Sequence, residues 1–227
     1  VEIQIFRRNE CASAHGLCVV IDVLRAFTTA AHAFSRGAKE IILVSSAEEA
    51  FSLKRQERSL VLMGEAGGIR IPGFCYGNSP AAMQSALLQG KRAVMRTSAG
   101  TQGVVACRHA DHLLISSFVV AEATVRRIRE ISPQFLSLIV TGTRNGDEDM
   151  ACAEYLQARL EGRQIAVDPF LCRVRSAPAA RKFLDSTSGF LEEDLILACQ
   201  IDRFSFAMEV EKLDSLLVAK SCGSSSF

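Results

Sequence analysis

Short apolar runs alternate with segments of helical composition along most of this chain, and that alternation restricts the fold more than any other feature. Leu17 to Ile21, LCVVI, reads as a buried strand, and Val23 to Ser35 follows with helical composition, stopped at Gly37. Ile41 to Val44 is predicted as a strand and Ala47 to Arg55 as a helix capped by Ser46. The strands Leu60 to Met63, Arg92 to Met95, His112 to Ser116 and Phe135 to Val140 are followed in turn by helices at Pro80 to Leu88, Thr101 to Cys107, Val119 to Ile131 and Asp147 to Leu160. Glu2 to Phe6 opens as a strand, Arg163 to Gly189 has weaker periodicity, Leu191 to Ile201 reads as a helix and Leu216 to Ala219 as a last strand. The pattern predicts an α/β fold, a mainly parallel sheet with flanking helices. It reads as one domain over residues 1–220, with room for two lobes, and a flexible tail over 221–227.

Bulk properties narrow the function. The net charge is +1, no basic block is present and aromatic residues make up 7%, which argues against a nucleic-acid surface. No apolar run approaches the roughly 20 residues of a membrane span, and VEIQIFRRNE does not read as a signal peptide. The eight cysteines show no C-x-x-C spacing and read as reduced thiols in a cytoplasmic protein. The expected partner is therefore a small molecule, with neither nucleic acid nor membrane, and homo-oligomer formation stays open.

The chemistry collects after strands. GEAGGIRIPGFCYGNSP, Gly64 to Pro80, holds five glycines and two prolines, reads as a long loop without helix or strand, and places Glu65 directly after a strand. It ends on Asn78, Ser79 and Pro80, a helix start with Ser79 as cap. Asp22 and Arg25 follow Leu17–Ile21, RTSAGT (Arg96 to Thr101) follows Arg92–Met95, and TGTRNGDED (Thr141 to Asp149) follows Phe135–Val140. In an open α/β sheet such clusters converge outside the carboxyl ends of the strands. Asp22, Glu65, Glu148 and Asp149 are hard oxygen donors that suit magnesium or manganese rather than zinc. Ser79, Thr97, Ser98, Thr101, Thr141 and Thr143 lie in turns of the kind that bind phosphate, and Arg25, Arg96 and Arg144 are candidates to neutralise it. Together these are the parts of a metal-assisted phosphoryl-transfer site. Each also has a plain structural reading: Asp22, Thr97, Ser98 and Thr101 as caps, Arg25 as a solvated helix residue, Glu148 and Asp149 as dipole partners of their helix. A D-x-D-x-T strand end is absent because position 24 is Leu24, no cysteine has an arginine six residues on, and no Walker loop is present.

In these same segments the chain resembles the 2-phosphosulfolactate phosphatase family, known from coenzyme M biosynthesis. The resemblance is carried by VIDVLRAFTTA (Val20 to Ala30), GEAGG (Gly64 to Gly68), GFCYGNSP (Gly73 to Pro80), RTSAGT, GDEDMACAEY (Gly146 to Tyr155) and LEEDLILACQIDRF (Leu191 to Phe204). It implies a hydrolase of the α/β class peculiar to that family, a magnesium-dependent phosphatase acting on a small acidic phosphomonoester. It retains Asp22, Arg25, Glu65, Asn78, Ser79, Gly100, Thr101, Glu148 and Asp149. The chain departs from the family pattern at Ala66, where an arginine is usual, at Cys75 in place of an aspartate, at Arg96 in place of a threonine, and at Ala99 in place of an asparagine. The alternative is a non-catalytic phosphate-binding relative that keeps the anion pocket without turnover. On the catalytic reading, Asp22, Arg25 and Glu65 carry the reaction. Asn78, Ser79, Arg96, Thr97, Ser98, Gly100, Thr101 and Arg144 hold the substrate, and Asp22, Glu65, Glu148 and Asp149 hold Mg2+.

Overall fold

A computed structural model describes residues 1–142 and 147–223. In chain order the elements are β1 (Glu2–Arg7), β2 (Leu17–Ile21), α1 (Ala26–Ser35), β3 (Glu40–Leu43), α2 (Ala47–Gln56), β4 (Val61–Ala66), β5 (Ile69–Arg70), α3 (Pro80–Met83), β6 (Arg92–Arg96), α4 (Gly100–Ala106), β7 (His112–Ser116), α5 (Ala121–Ile131), β8 (Phe135–Val140), α6 (Asp147–Leu160), α7 (Asp168–Ser176), α8 (Arg181–Leu184), α9 (Glu192–Ala198), β9 (Ala207–Leu213) and β10 (Leu216–Cys222). The strands form one ten-stranded sheet in the order β1-β8-β2-β7-β9-β10-β3-β6-β4-β5. The expected α/β class with a mainly parallel sheet and flanking helices is what the chain adopts.

The sheet is nonetheless two parallel blocks rather than one. Parallel pairing joins β1, β8, β2 and β7, and separately β3, β6 and β4. Between the blocks lies the β9–β10 hairpin, antiparallel to itself and to both neighbours. Those three reversals make the blocks run in opposite senses along the sheet. Their carboxyl ends would lie at opposite edges of a flat sheet. Strands of both blocks nevertheless pack one face on α1 and α4 in a shared core, which the right-handed twist of about 20–25° per strand allows. The period-2 alternation shows which face is which. Cys18 and Val20 of β2, Ile41 and Leu43 of β3, and Ala93 and Met95 of β6 share one core with Phe27, Ala30 and Phe34 of α1. Leu17, Val19 and Ile21 point outward into a second core with α5, α6 and α7, while Ile42, Val44 and Val94 enter a third with Ala50 of α2.

Gly100 closes the junction between the blocks. A Cβ there would stand 2.7 Å from Ala26 Cβ and 2.9 Å from Asp22 Oδ2, so only glycine lets the start of α4, after β6, reach the start of α1, after β2. The reading of four clusters at one edge of a single parallel sheet is therefore corrected: the clusters meet because the two blocks share a core.

Several boundaries differ from expectation. Gly64–Ala66 is not loop: β4 runs through it and turns back as β5 at Gly67–Gly68, whose φ values of 62° and 88° are those of a tight hairpin turn. The helix expected over Pro80 to Leu88 ends at Met83, where Ala86 N–H bonds back to Met83 O and Leu87 N–H is taken by Tyr76 Oη at 3.2 Å. α1 begins at Ala26 because Asp22 holds the turn before it, its Oδ1 accepting from Ala26 N–H at 2.9 Å. The weakly periodic 163–189 region carries α7 and α8. β9 was not expected. Ser221 and Cys222, assigned to a flexible tail, pair with Met208 and Ala207.

Candidate active site

Asp22 and the first turn of α6 form one corner of the site. Asp22 lies just past β2 and is 5% exposed. Burial pushes its carboxyl up from the usual range, and the charge of Glu65 adds to that, against the Ala26 N–H that favours the anion. Asp149 is buried beside it and turns both oxygens to backbone: Oδ1 accepts from Val23 N–H and Oδ2 from Gly142 N–H, each at 2.8 Å. The Thr141 hydroxyl lies 3.2 Å from the same Oδ2. Asp149 thus ties the end of β8 to the end of β2. Burial, then Asp22 and Glu148, raise its carboxyl well above the ordinary range. Glu148 is 4% exposed, and its Oε2 is buried without a hydrogen-bond partner. Burial pushes this carboxyl up to about 7, with Asp22 and Asp147 adding and Lys182 opposing. An unpaired buried carboxylate oxygen is costly unless a proton, cation or ligand meets it. Thr143 and Arg144 lie outside the described residues.

Glu65 and the turn after β6 form the opposite corner. Glu65 Oε2 accepts from Gly68 N–H at 2.5 Å and from Ser98 Oγ at 3.0 Å, and Oε1 accepts from Ser98 N–H at 2.6 Å. Ser98 Oγ in turn accepts from Gly67 N–H at 2.9 Å. Thr97 and Thr101 are buried and cap each other: Thr97 N–H reaches Thr101 Oγ1 at 2.9 Å and Thr101 N–H reaches Thr97 Oγ1 at 3.0 Å. Their hydroxyls build the turn. Arg96 donates from Nη1 to Glu65 O at 2.8 Å and lines an open cavity of about 490 Å3 with Ala66, Ile69 and Arg70.

Between the corners stands Arg25, held by its own protein. Nη1 donates to Asp194 Oδ2 at 2.7 Å in a buried pair, and Nη2 reaches Gly68 O at 3.3 Å. The guanidinium lies 4.5 Å from the Phe190 ring centroid and 5.3 Å from that of Phe183. Asp194 Oδ1 accepts from Ser79 Oγ at 2.7 Å and Ala81 N–H at 3.0 Å, so Ser79 caps α3 and joins α9 to it. Neighbouring Asn78 is buried with Oδ1 unpartnered.

Two residues escaped the sequence reading. Asp194 follows Glu192 and Glu193 and reads as one of three acids in a helix's first turn; only its complete burial separates it from them. Lys182 lies in the weakly periodic stretch, where nothing marked it. Its Nζ stands 4.6 Å from the Phe190 ring centroid. Burial and Arg25 lower its pKa, against the attraction of Glu65, Asp22 and Glu148, so the ammonium belongs to the same charge cluster.

The donor set fits a hard divalent ion of magnesium type, which is bound through one or two carboxylates plus substrate phosphate oxygens. Glu148 Oε2 is free for that purpose, and Asp22 is engaged by Ala26 N–H on Oδ1 alone; Glu65 and Asp149 accept protein donors on both oxygens. Among the described residues, no group of three or more His, Cys, Asp or Glu side chains forms a ready-made metal cage.

The α/β sheet thus brings buried carboxylates, two cationic side chains and Gly/Ser turns together at one junction. A family profile for 2-phosphosulpholactate phosphatase matches residues 5–212, and the chain belongs to that family. A Bacillus subtilis (strain 168) protein named "Probable 2-phosphosulfolactate phosphatase" is 36% identical over 183 residues, 80% of each chain. Proteins of the same name from Deinococcus radiodurans and Caldicellulosiruptor saccharolyticus are 36% and 38% identical, over 63% and 60% of this chain and 62% and 59% of their own lengths.

Proposed function

We propose that this chain hydrolyses a small acidic phosphomonoester, 2-phosphosulfolactate or a related phospho-hydroxy acid, with magnesium held by Asp22 and Glu148. The observation that carries the reading is Glu148 Oε2, buried without a partner next to Asp22 in a chain of this family. Bound there, magnesium would supply a Lewis acid that neutralises phosphate charge. The chain's own residues do the rest. Lys182 brings positive charge to the phosphate from a half-buried position, where solvent screens it less than at the surface. The Arg25–Asp194 pair, clamped to Ser79, keeps α3, α9 and the Gly67–Gly68 turn in place around the substrate. Glu65 fixes the Ser98 turn on the opposite side. Water adds to phosphorus, the ester P–O bond breaks, and the hydroxy acid leaves with a proton from that water, giving inorganic phosphate.

Among the described residues no helix is long and apolar enough to cross a membrane. Free thiols throughout fit a reducing compartment such as the cytoplasm. The test is phosphate release from 2-phosphosulfolactate by the purified chain, with magnesium and with chelator. Magnesium-dependent release that disappears in a folded Asp22→Asn variant supports the reading. Substrate binding without release would show a binding protein, and release equal in chelator and in Asp22→Asn would refute the site.

A further inference from the structure

A second cavity, of about 510 Å3, opens between α1 and α9, away from Asp22, and is lined among others by His32, Arg36, Glu193, Gln200, Arg203 and Phe204; its one carboxylate, Glu193, accepts from Gln84 Nε2 at 2.7 Å. His32 is 5% exposed, and its Nε2 is buried without a hydrogen-bond partner; Gln200 Oε1, on the same wall, is also buried and unpartnered. Buried polar atoms are nearly always paired, and each one left bare costs about 1–3 kcal/mol. Arg36 and Arg203 are exposed on the rim, and neither takes part in an ion pair among the described residues. A cavity lined by Arg129, Arg159 and Arg163 makes the contrast: Arg159 is paired with Glu122 and Arg163 with Glu161, and Arg129 is bonded to Arg159 O.

We infer that the α1–α9 cavity is a binding site for a small oxyanion that also carries a hydroxyl, such as hydrogen phosphate or a hydroxycarboxylate. The two guanidiniums supply the charge and the donors that select an anion. The neutral imidazole offers an Nε2–H in its matching tautomer; burial and Arg203 keep His32 down to about 4, so it remains neutral at physiological pH. In the orientation it holds, Gln200 presents Oε1, an acceptor, and so favours a ligand that carries a hydroxyl. The Phe204 ring, which also lines the cavity, stands edge-on to His32 with centroids 5.0 Å apart. The charge of Asp194 reaches His32 as well, so the cavity lies behind the residue that holds Arg25.

Ring signals of His32 in proton–carbon correlation spectra, assigned with His32→Gln, report occupancy directly. Titration with inorganic phosphate or with lactate should move the His32 signal saturably at millimolar concentration. The Arg36→Ala/Arg203→Ala double variant should bind about tenfold or more weakly. Phosphate acting from the Asp22 site would move the signal equally in the double variant, so an unchanged midpoint there overturns the proposal, as does a signal that never moves. Sulfate, without a hydroxyl at neutral pH, should bind more weakly than phosphate; equal affinity would overturn the preference for a hydroxyl.

Discussion

The two corners of the site hold the same residue type in opposite states. At the Glu65 corner the carboxylate accepts three protein hydrogen bonds and fixes a turn. At the Asp22 corner Asp149 plays that saturated role, while Glu148 keeps a bare buried oxygen and Asp22 is raised by burial. Carboxylates bonded to the protein on both oxygens build the site, and those with a bare oxygen are the ones free to take a cation or a proton. The same division separates the two cations: Arg25 is bonded into the frame, whereas Lys182 rests on aromatic faces.

Arg25→Ala probes that division most severely. It leaves Asp194 charged and completely buried, and should cost about 3–5 kcal/mol in urea unfolding. Unchanged stability would mean that Arg25 is a free substrate donor and not part of the frame. Next come Asp22→Asn and Glu148→Gln, each expected to lower kcat by about 100- to 1000-fold without loss of fold. Glu65→Gln should instead lose about 1–3 kcal/mol of stability, because it breaks bonds to Ser98 and Gly68. If Glu65→Gln is stable and inactive, the corners have exchanged roles.

A smaller effect separates the corners by pH. The folded pKa of Glu148, about 7, lies above its unfolded value, so the folded state binds the extra proton between the two. Stability of the metal-free protein should therefore fall as pH rises from about 4.5 to 7, by on the order of 1–3 kcal/mol. Glu148→Gln should reduce that slope, the remainder coming from Asp22 and Asp149, whose carboxyls burial also raises, and a slope unchanged in the variant would contradict the role of Glu148. The mildest test is Lys182→Met, expected to raise KM about tenfold while leaving the unfolding midpoint nearly unchanged.

How far the sequence could be read depends on what each segment buries. β2 was legible because LCVVI is buried on both faces, and Asp22 because it follows that strand. β9 was not, since AMEVEKL carries charges at Glu209, Glu211 and Lys212 on half-exposed or exposed positions and looks like surface. All four site carboxylates were visible as residue types, though Glu65, read as following a strand, lies inside β4. Which of them are saturated was invisible, because Val23, Gly142 and Ser98 supply their backbone donors only once the sheet has formed. Lys182 sits four residues after Pro178 on a short helix, and only the folded chain brings it to Asp22.

The central claim is that Asp22 and Glu148, and not Glu65 and Asp149, are the carboxylates that take the cation. Thermal unfolding with millimolar magnesium tests it directly, because an ion bound only to the folded state raises Tm by mass action. The account predicts that magnesium raises Tm for the wild type and for Glu65→Gln, and has no effect on Asp22→Asn or Glu148→Gln. An equal rise in Glu148→Gln and wild type, with the rise lost in Glu65→Gln, would contradict it.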